Sequence, residues 1–412
     1  MLLYWIWFAA LKELSGTQKR ILLEHFSDPE EIYCATESAL SCVAGLEPQS
    51  VQALKDRDLS DAKRILKICT EKEIKFLTYG DAAYPNRLRN IDEPPVVLYY
   101  KGSLPAFEST AIIAVVGTRK ATAYGLGTAR NMSRQIAACG ALVVSGAAFG
   151  IDAMAMQGAM EAGCPVVGVL GCGVDVVYPK SNRHLFAQIL EKGCLISEYP
   201  PGTPPLKWNF PRRNRILSGM ANGVLVIEAP KISGALSTAR WALQQGRDVF
   251  VVPGNIDVVA CEGSNALLQE EANAACSGWD VVKEYVPLYP GRLEKKPVPT
   301  AVTEFFEEKP AALVAQKTAL PVKEKPNNRK NDKKSIDNGQ ICPYSGIKDT
   351  LPDLNGEEQA ILACLSSQPR PVDEVIAETG LPASKVLGML TMLALKGAVV
   401  NHPGKSVSLK RK

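Results

Sequence analysis

Histidine is scarce in this sequence: His25, His184 and His402 are the only three among 412 residues, and they are far apart. That scarcity argues against catalytic triads and against most histidine-based acid–base chemistry. Eleven cysteines are present, but they are scattered without a C-x-x-C pair. Reduced thiols therefore fit better than a zinc site or a disulfide framework, and no metal is expected. No P-loop G-x-x-x-x-G-K-[ST] occurs, which argues against ATP-driven work. The first β-rich run is not followed by G-x-G-x-x-G with an acidic residue about twenty positions on, so a dehydrogenase reading fails and no cofactor is expected. Long apolar runs are missing too. The opening stretch over 2–11 is too short to span a bilayer and lacks the basic start and cleavage site of a signal peptide. It reads as a buried first helix ending near Ser15 and Gly16, in a cytoplasmic protein that does not engage a membrane.

The length exceeds one ordinary core, and a hydrophobic fraction of 46% is enough to bury several. A net charge of +4 permits an anionic partner without requiring one. Apolar residues at three-to-four-residue spacing predict a small helical domain over 1–73, of the sterile-alpha-motif or helix-hairpin-helix kind. Its turn at Val43, Ala44, Gly45 and Leu46 can hold a phosphate, although a plain structural turn is favoured. Lysine, glutamate, proline and asparagine dominate 286–350, which predicts a linker. Helical stretches over 357–366, 372–379 and 383–396, followed by a hairpin, predict a winged-helix-like module over 351–412. Its last helix, KVLGMLTMLALK, is too apolar to read a DNA groove and favours protein contact or dimerisation.

Between these parts, over 74–285, β-rich apolar runs at 112–116, 142–144, 166–170, 194–196, 224–227 and 249–252 alternate with amphipathic helices. Strands that are apolar throughout specify a parallel sheet covered on both faces, an α/β doubly wound domain with ligands at the carboxyl ends of its strands. The loops there share one character. The first run empties into Gly117, Thr118, Arg119 and Lys120, whose cations sit at the wrong end of the next helix unless a bound anion answers them. The second ends in Ser145 and Gly146, small enough for close backbone approach, with Asp152 as a helix cap. Lys180 follows the third. The fourth supplies Phe210, Arg212, Arg213, Asn214 and Arg215: guanidinium groups suited to phosphate and a ring suited to base stacking. Against that, Phe210 can be core and one arginine can pair with a carboxylate. Ser233 and Gly234 open the fifth. Small, amide-rich and cationic, without an evident nucleophile and base, this rim describes a polyanion cradle.

The segments VVGTRKATAYG, VVSGAAFGIDAMA, GCGVDVVYPKSN, ISEYPPG, FPRRNRILSG and EAPKISGALSTARWALQQGRDVFVVPG resemble the DNA-processing protein A family, DprA or Smf, over about 79–282. The resemblance implies an extended Rossmann domain that forms a homodimer, binds single-stranded DNA and loads the recombinase RecA during uptake of transforming DNA. Carried over by motif, it makes Arg119, Lys180, Arg212, Arg213 and Arg215 the DNA-contacting candidates, with Gly117, Ser145 and Gly146 giving backbone approach. The sequence departs from the family at Met156, where Ala-His is usual, and in EGSNALLQEEANA, which lacks a Gly-Ala pair. The resulting expectation is a non-catalytic single-strand binder. Two alternatives stand beside it: a nucleotide N-glycosidase, and a dimeric scaffold whose terminal domains do the recognising.

Overall fold

In the computed structural model, residues 1–270, 272–297, 356–395, 398–402 and 406–409 are described. The chain divides into two units, Met1–Ala315 and Gln316–Lys412. In the first, helices α1 (Leu2–Ala10), α2 (Gly16–His25), α3 (Pro29–Cys34), α4 (Glu37–Ser41), α5 (Pro48–Leu54) and α6 (Ser60–Glu71) close around Trp5, Ile6, Phe8, Leu22, Ile32 and Leu54. Helix α1 ends five residues earlier than its apolar pattern suggests, because Ser15 belongs to the next helix. The Ser15 hydroxyl accepts from the Gln18 amide at 3.1 Å while the Gln18 side chain accepts from the Ser15 amide at 3.0 Å, a reciprocal cap that fixes the start of α2. The helical core continues through Val97 and Tyr99, so this part of the chain shares its interior with the sheet beside it.

That sheet has nine strands: β1 (Lys75–Thr78), β2 (Val97–Gly102), β3 (Ile112–Val116), β4 (Leu142–Ser145), β5 (Val166–Val169), β6 (Cys194–Ser197), β7 (Gly223–Val226), β8 (Asp248–Val251) and β9 (Asn273–Ala274). Their order is β1-β2-β6-β5-β4-β3-β7-β8-β9. Strands β3 to β9 pair in parallel, and β2 joins β6 antiparallel, with β1 antiparallel beside it. The predicted apolar runs are all strands. The two-residue β9 escaped prediction, being too short for any periodicity to show.

Between the strands lie α7 (Asn86–Arg89), α8 (Ala123–Ala138), α9 (Ile151–Glu161), α10 (Arg183–Lys192), α11 (Asn209–Met220), α12 (Gly234–Gln244), α13 (Glu262–Leu267) and α14 (Gly278–Val282). Strand alternation sorts β3 between two layers. Ile113 and Val115 face α8, α9, α10 and α14, whereas Ile112, Ala114 and Val116 face α7, α11 and α12. From β3 the chain winds outward through β4, β5 and β6, then returns to the other side of β3 with β7. The β3/β7 junction is the topological switch point, where an open parallel sheet leaves a crevice beyond its strand ends. Met156, the departure from the family's histidine, is fully buried on α9 next to Gly168, in the core under the sheet.

In the second unit, helices Gly356–Ala363, Val372–Thr379 and Ala383–Leu395 surround a three-stranded sheet of Arg370–Pro371, Val399–His402 and Ser406–Leu409. This matches the winged-helix expectation. On the last helix Leu387 and Met392 are about half exposed, at 51% and 50%. Among the described residues, no helix is long and apolar enough to cross a membrane.

One expectation is corrected. The linker expected over 286–350 begins too early, since Lys283–Leu288 forms a 3-10 helix and both Tyr289 and Leu293 are buried in the sheet core. Apolar residues among the charged ones hold this stretch down; from 298 on, the expected linker lies outside the described residues. A chain ended after Tyr285 loses two core side chains that a chain ended after Pro297 keeps. The shorter chain is expected to be at least about 2 kcal/mol less stable, the cost of deleting one large core group, as read by urea unfolding of the two truncations.

Candidate nucleic-acid interface

At the switch point lies a cleft of about 290 Å³, lined by Gly117, Thr118 and Arg119 after β3, by Phe210, Arg213 and Asn214 of α11, and by Ser233 and Gly234 at the start of α12. Eight of the predicted site residues thus converge on one cleft. The side chain of Ser233 caps α12, accepting from the Ala235 amide at 3.2 Å, and Asn214 Nδ2 donates to the Gly234 carbonyl at 3.1 Å. Helix α12 therefore presents its positive end to the cleft with its first turn tied to α11.

The cations divide by depth. Arg119 is exposed, its guanidinium 5.2 Å from the centroid of the half-buried Phe210 ring. Phe210 also packs on Gly171 and lies 5.5 Å from the Tyr178 ring, so it is held in place on several sides. Arg213 is only 4% exposed; Nη1 donates to the Val169 carbonyl at the end of β5, and Nε has no hydrogen-bond partner among the described residues. Burial lowers its pKa, opposed by Asp152 and assisted by Arg119. Asp152 is the carboxylate of the cleft. Burial raises its pKa, against the pull of Arg213 and of the Ala148 and Gly146 amides that hydrogen-bond to it. Gly146 sits directly against both Arg213 and Asp152, which leaves no room there for a side chain.

Other candidates fall elsewhere. Arg215 is buried, not a free phosphate ligand: it makes a bidentate pair with Glu198 at 2.6 and 2.9 Å, and donates to the Glu93 and Arg212 carbonyls at 2.9 and 3.0 Å. Its donors are spent within the protein. Ser145 is fully buried, its hydroxyl donating to the Val115 carbonyl at 2.7 Å. Lys120 and Lys180 are exposed but do not line the cleft. Lys180 opens a turn anchored by Asn182, whose Nδ2 donates to the Ala147 and Ala148 carbonyls at 3.1 and 3.2 Å. Arg212 is exposed and turns toward a separate groove.

The start of α8 also differs from expectation. There the answering anion is internal: Glu228, 1% exposed, accepts from the Thr122 amide at 2.9 Å and from its hydroxyl at 2.5 Å. A bound phosphate is not needed at that helix end. Glu228 went unnoticed in the sequence, although an acidic residue closing the apolar run 224–227 is itself a signal. Tyr178 and Trp208 were missed as well; the signal was an aromatic residue within a loop at the strand ends.

A cationic, amide-rich cleft at the switch point, without a nucleophile–base pair, matches the DNA-processing motifs that line it. A family model described as DNA recombination-mediator protein A matches residues 75–286, and one described as the DprA winged helix domain matches 348–405. The chain belongs to the DNA recombination-mediator protein A family. Protein Smf of Synechocystis is 32% identical over 97% of both chains, and DNA processing protein DprA of Streptococcus pneumoniae is 41% identical over 51% of this chain and 75% of its own. The X-ray structure of the pneumococcal DprA superposes with a TM-score of 0.61 at 31% identity, covering 69% of this chain and 98% of that one.

Within this family member, Glu198→Ala should separate structural from ligand-binding arginines. Burial would raise the Glu198 pKa, but Arg215 and its hydrogen bonds hold it below the usual range. Its stabilising contribution is therefore complete above the unfolded value of about 4.3 and lost as pH falls through the lower folded value. Removing the carboxylate strands a buried guanidinium, with an expected cost of roughly 3–5 kcal/mol in denaturant unfolding at neutral pH.

Proposed function

We propose that this protein binds single-stranded DNA in the switch-point cleft and hands the strand to RecA recombinase, acting as a homodimeric, cytoplasmic recombination mediator in DNA uptake rather than as an enzyme. The observation that carries the reading is the convergence of Arg119, Arg213, Phe210 and the positive end of α12 on one crevice. Phosphate suits the guanidinium groups and the amide turn, and a base suits the ring. Single strands satisfy both demands, because their bases are free to leave the backbone path; duplex bases are stacked away. Asp152, tied to two backbone amides and facing Arg213, is engaged as a structural acceptor, which disfavours the N-glycosidase alternative. Lys180 and Lys120, exposed at the rim, would add long-range attraction.

Anisotropy titration of fluorescent single- and double-stranded oligonucleotides tests this. The single strand is expected to bind more tightly, with log K falling by about 0.7 per neutralised phosphate for each unit of log salt. Arg119→Ala should weaken binding about tenfold or more, the loss of one charge-assisted contact of about 1.5–3 kcal/mol, and Lys180→Ala less. Binding that ignores salt, or that neither substitution changes, would overturn the assignment. A second expectation concerns pH. Because the raised pKa of Asp152 lets it take a proton above the ordinary Asp value of about 3.9, acidification neutralises the cleft's one carboxylate and should strengthen DNA binding. Asp152→Asn should bind more tightly at neutral pH and flatten that dependence. RecA handover is checked by whether the protein speeds RecA assembly on the bound strand.

A further inference from the structure

Beside the cleft lies a larger groove of about 1040 Å³, within the same unit, between the N-terminal helices and the α11/α12 pair. Trp208, Arg212 and Trp241 line it from the α11/α12 side, and Lys12 and the Gly45 turn from the other. Pro211 lines both hollows, so cleft and groove are neighbours across a single residue. Trp208 is 70% exposed although it immediately precedes the buried Asn209. An indole left in water at the start of a helix anchored on both sides is an unusual use of the largest side chain.

Trp208 and Phe210 stand two residues apart, within about 7 Å along the chain, one in the groove and the other in the cleft. One ring in each hollow, on either side of Pro211, offers stacking surfaces to different bases of one strand, and Arg212 supplies a phosphate ligand on the groove side. The lining also carries Glu13, Glu47 and Glu93, which repel phosphates but accept from base N–H groups. The arrangement thus favours a strand whose phosphates follow α11 and whose bases turn inward. Three carboxylates in the lining set this groove apart from the core of a protein interface, where charged residues are depleted.

We propose that single-stranded DNA leaving the switch-point cleft crosses Pro211 and enters this groove, stacking a base on Trp208 with a phosphate on Arg212, so that the N-terminal helical part forms one wall of the DNA path. The proposal rests on the single-strand reading of the cleft, and its test is built to separate the two. Full-length protein is titrated with labelled oligothymidylates of about 4 and about 16 nucleotides, the range of site sizes of single-strand grooves.

Trp208→Ala is expected to weaken the long oligonucleotide about 5- to 150-fold, the equivalent of one lost stacking platform, and to leave the short one unchanged. Trp208→Phe should restore most of the loss, Arg212→Ala should resemble Trp208→Ala, and Arg119→Ala should weaken both lengths. Quenching of tryptophan fluorescence by the long oligonucleotide should be reduced in Trp208→Phe. Long-strand affinity untouched by Trp208→Ala, with Arg119→Ala still impaired, overturns the groove and spares the cleft. Loss of self-association with unchanged DNA binding reassigns Trp208 to a protein contact and also overturns it. Wild-type protein that binds neither length overturns the cleft reading, and the groove with it.

Discussion

The ion pair between Arg215 and Glu198 fixes α11 across the ends of the parallel strands, and the site depends on that placement. Arg215 is 3% exposed at its side chain and its carboxylate partner 12%, so neither can be satisfied by water. The pair and the bond to the Glu93 carbonyl together tie α11 to two neighbouring segments of the chain. A helix turns by about 100° per residue. With Arg215 pointing inward, Arg213 two residues back lies on the far side of the helix, at the end of β5, whereas Arg212 three residues back falls about 60° from Arg215, at the groove that both line. Three arginines in four positions are thus distributed among the interior, the cleft and the groove by the geometry of one helix. A buried pair of this kind is weak evidence for stability in itself, and its worth here lies in orientation.

The same economy governs the amide clusters at the strand ends. Each βα turn of a parallel sheet offers unpaired N–H groups and a helix dipole to whatever anion is near. At α8 the protein answers them with Glu228, and the amides of Ala148 and Gly146 are answered with Asp152. Among the helix starts that line the cleft, that of α12 is capped by the neutral hydroxyl of Ser233 and that of α11 has no acidic residue in its first turn. On the proposed reading, a phosphate is drawn to these helix starts rather than to the turns already answered by a carboxylate.

This explains which parts were legible in the sequence. The β3 to β8 strands are buried on both faces, so their apolar runs are long enough to announce them and, with the alternating helices, the doubly wound sheet and its reactive edge. Arg119, Arg213, Phe210 and Ser233 could be assigned to that edge for the same reason. That one of the three arginines can pair with a carboxylate was readable, but not that it is Arg215, because Glu198 lies 17 residues away across the β6–α11 connection and only the rotation of α11 brings them together. Ser145 likewise looked like a ligand-facing small residue, yet its hydroxyl is consumed by the adjacent strand. The linker boundary erred for a different reason: composition averages over a window, whereas Tyr289 and Leu293 act singly against a preformed core.

What remains is how the proposed binding would meet the large entropic cost of ordering flexible cations against a flexible strand. The site side chains are already confined. Gly171 lets Phe210 lie close against the backbone, and a Cβ there would stand 2.9 Å from the ring; Gly146 does the same for Arg213 and Asp152. Arg213 is immobilised by the Val169 carbonyl, and Tyr178 closes on Phe210 from the neighbouring loop. Arg119, at the mouth, is exposed and packs over the Phe210 ring. Most of the ordering is therefore completed in folding, when the core supplies the free energy, and a strand bound as proposed would meet a surface that is largely set.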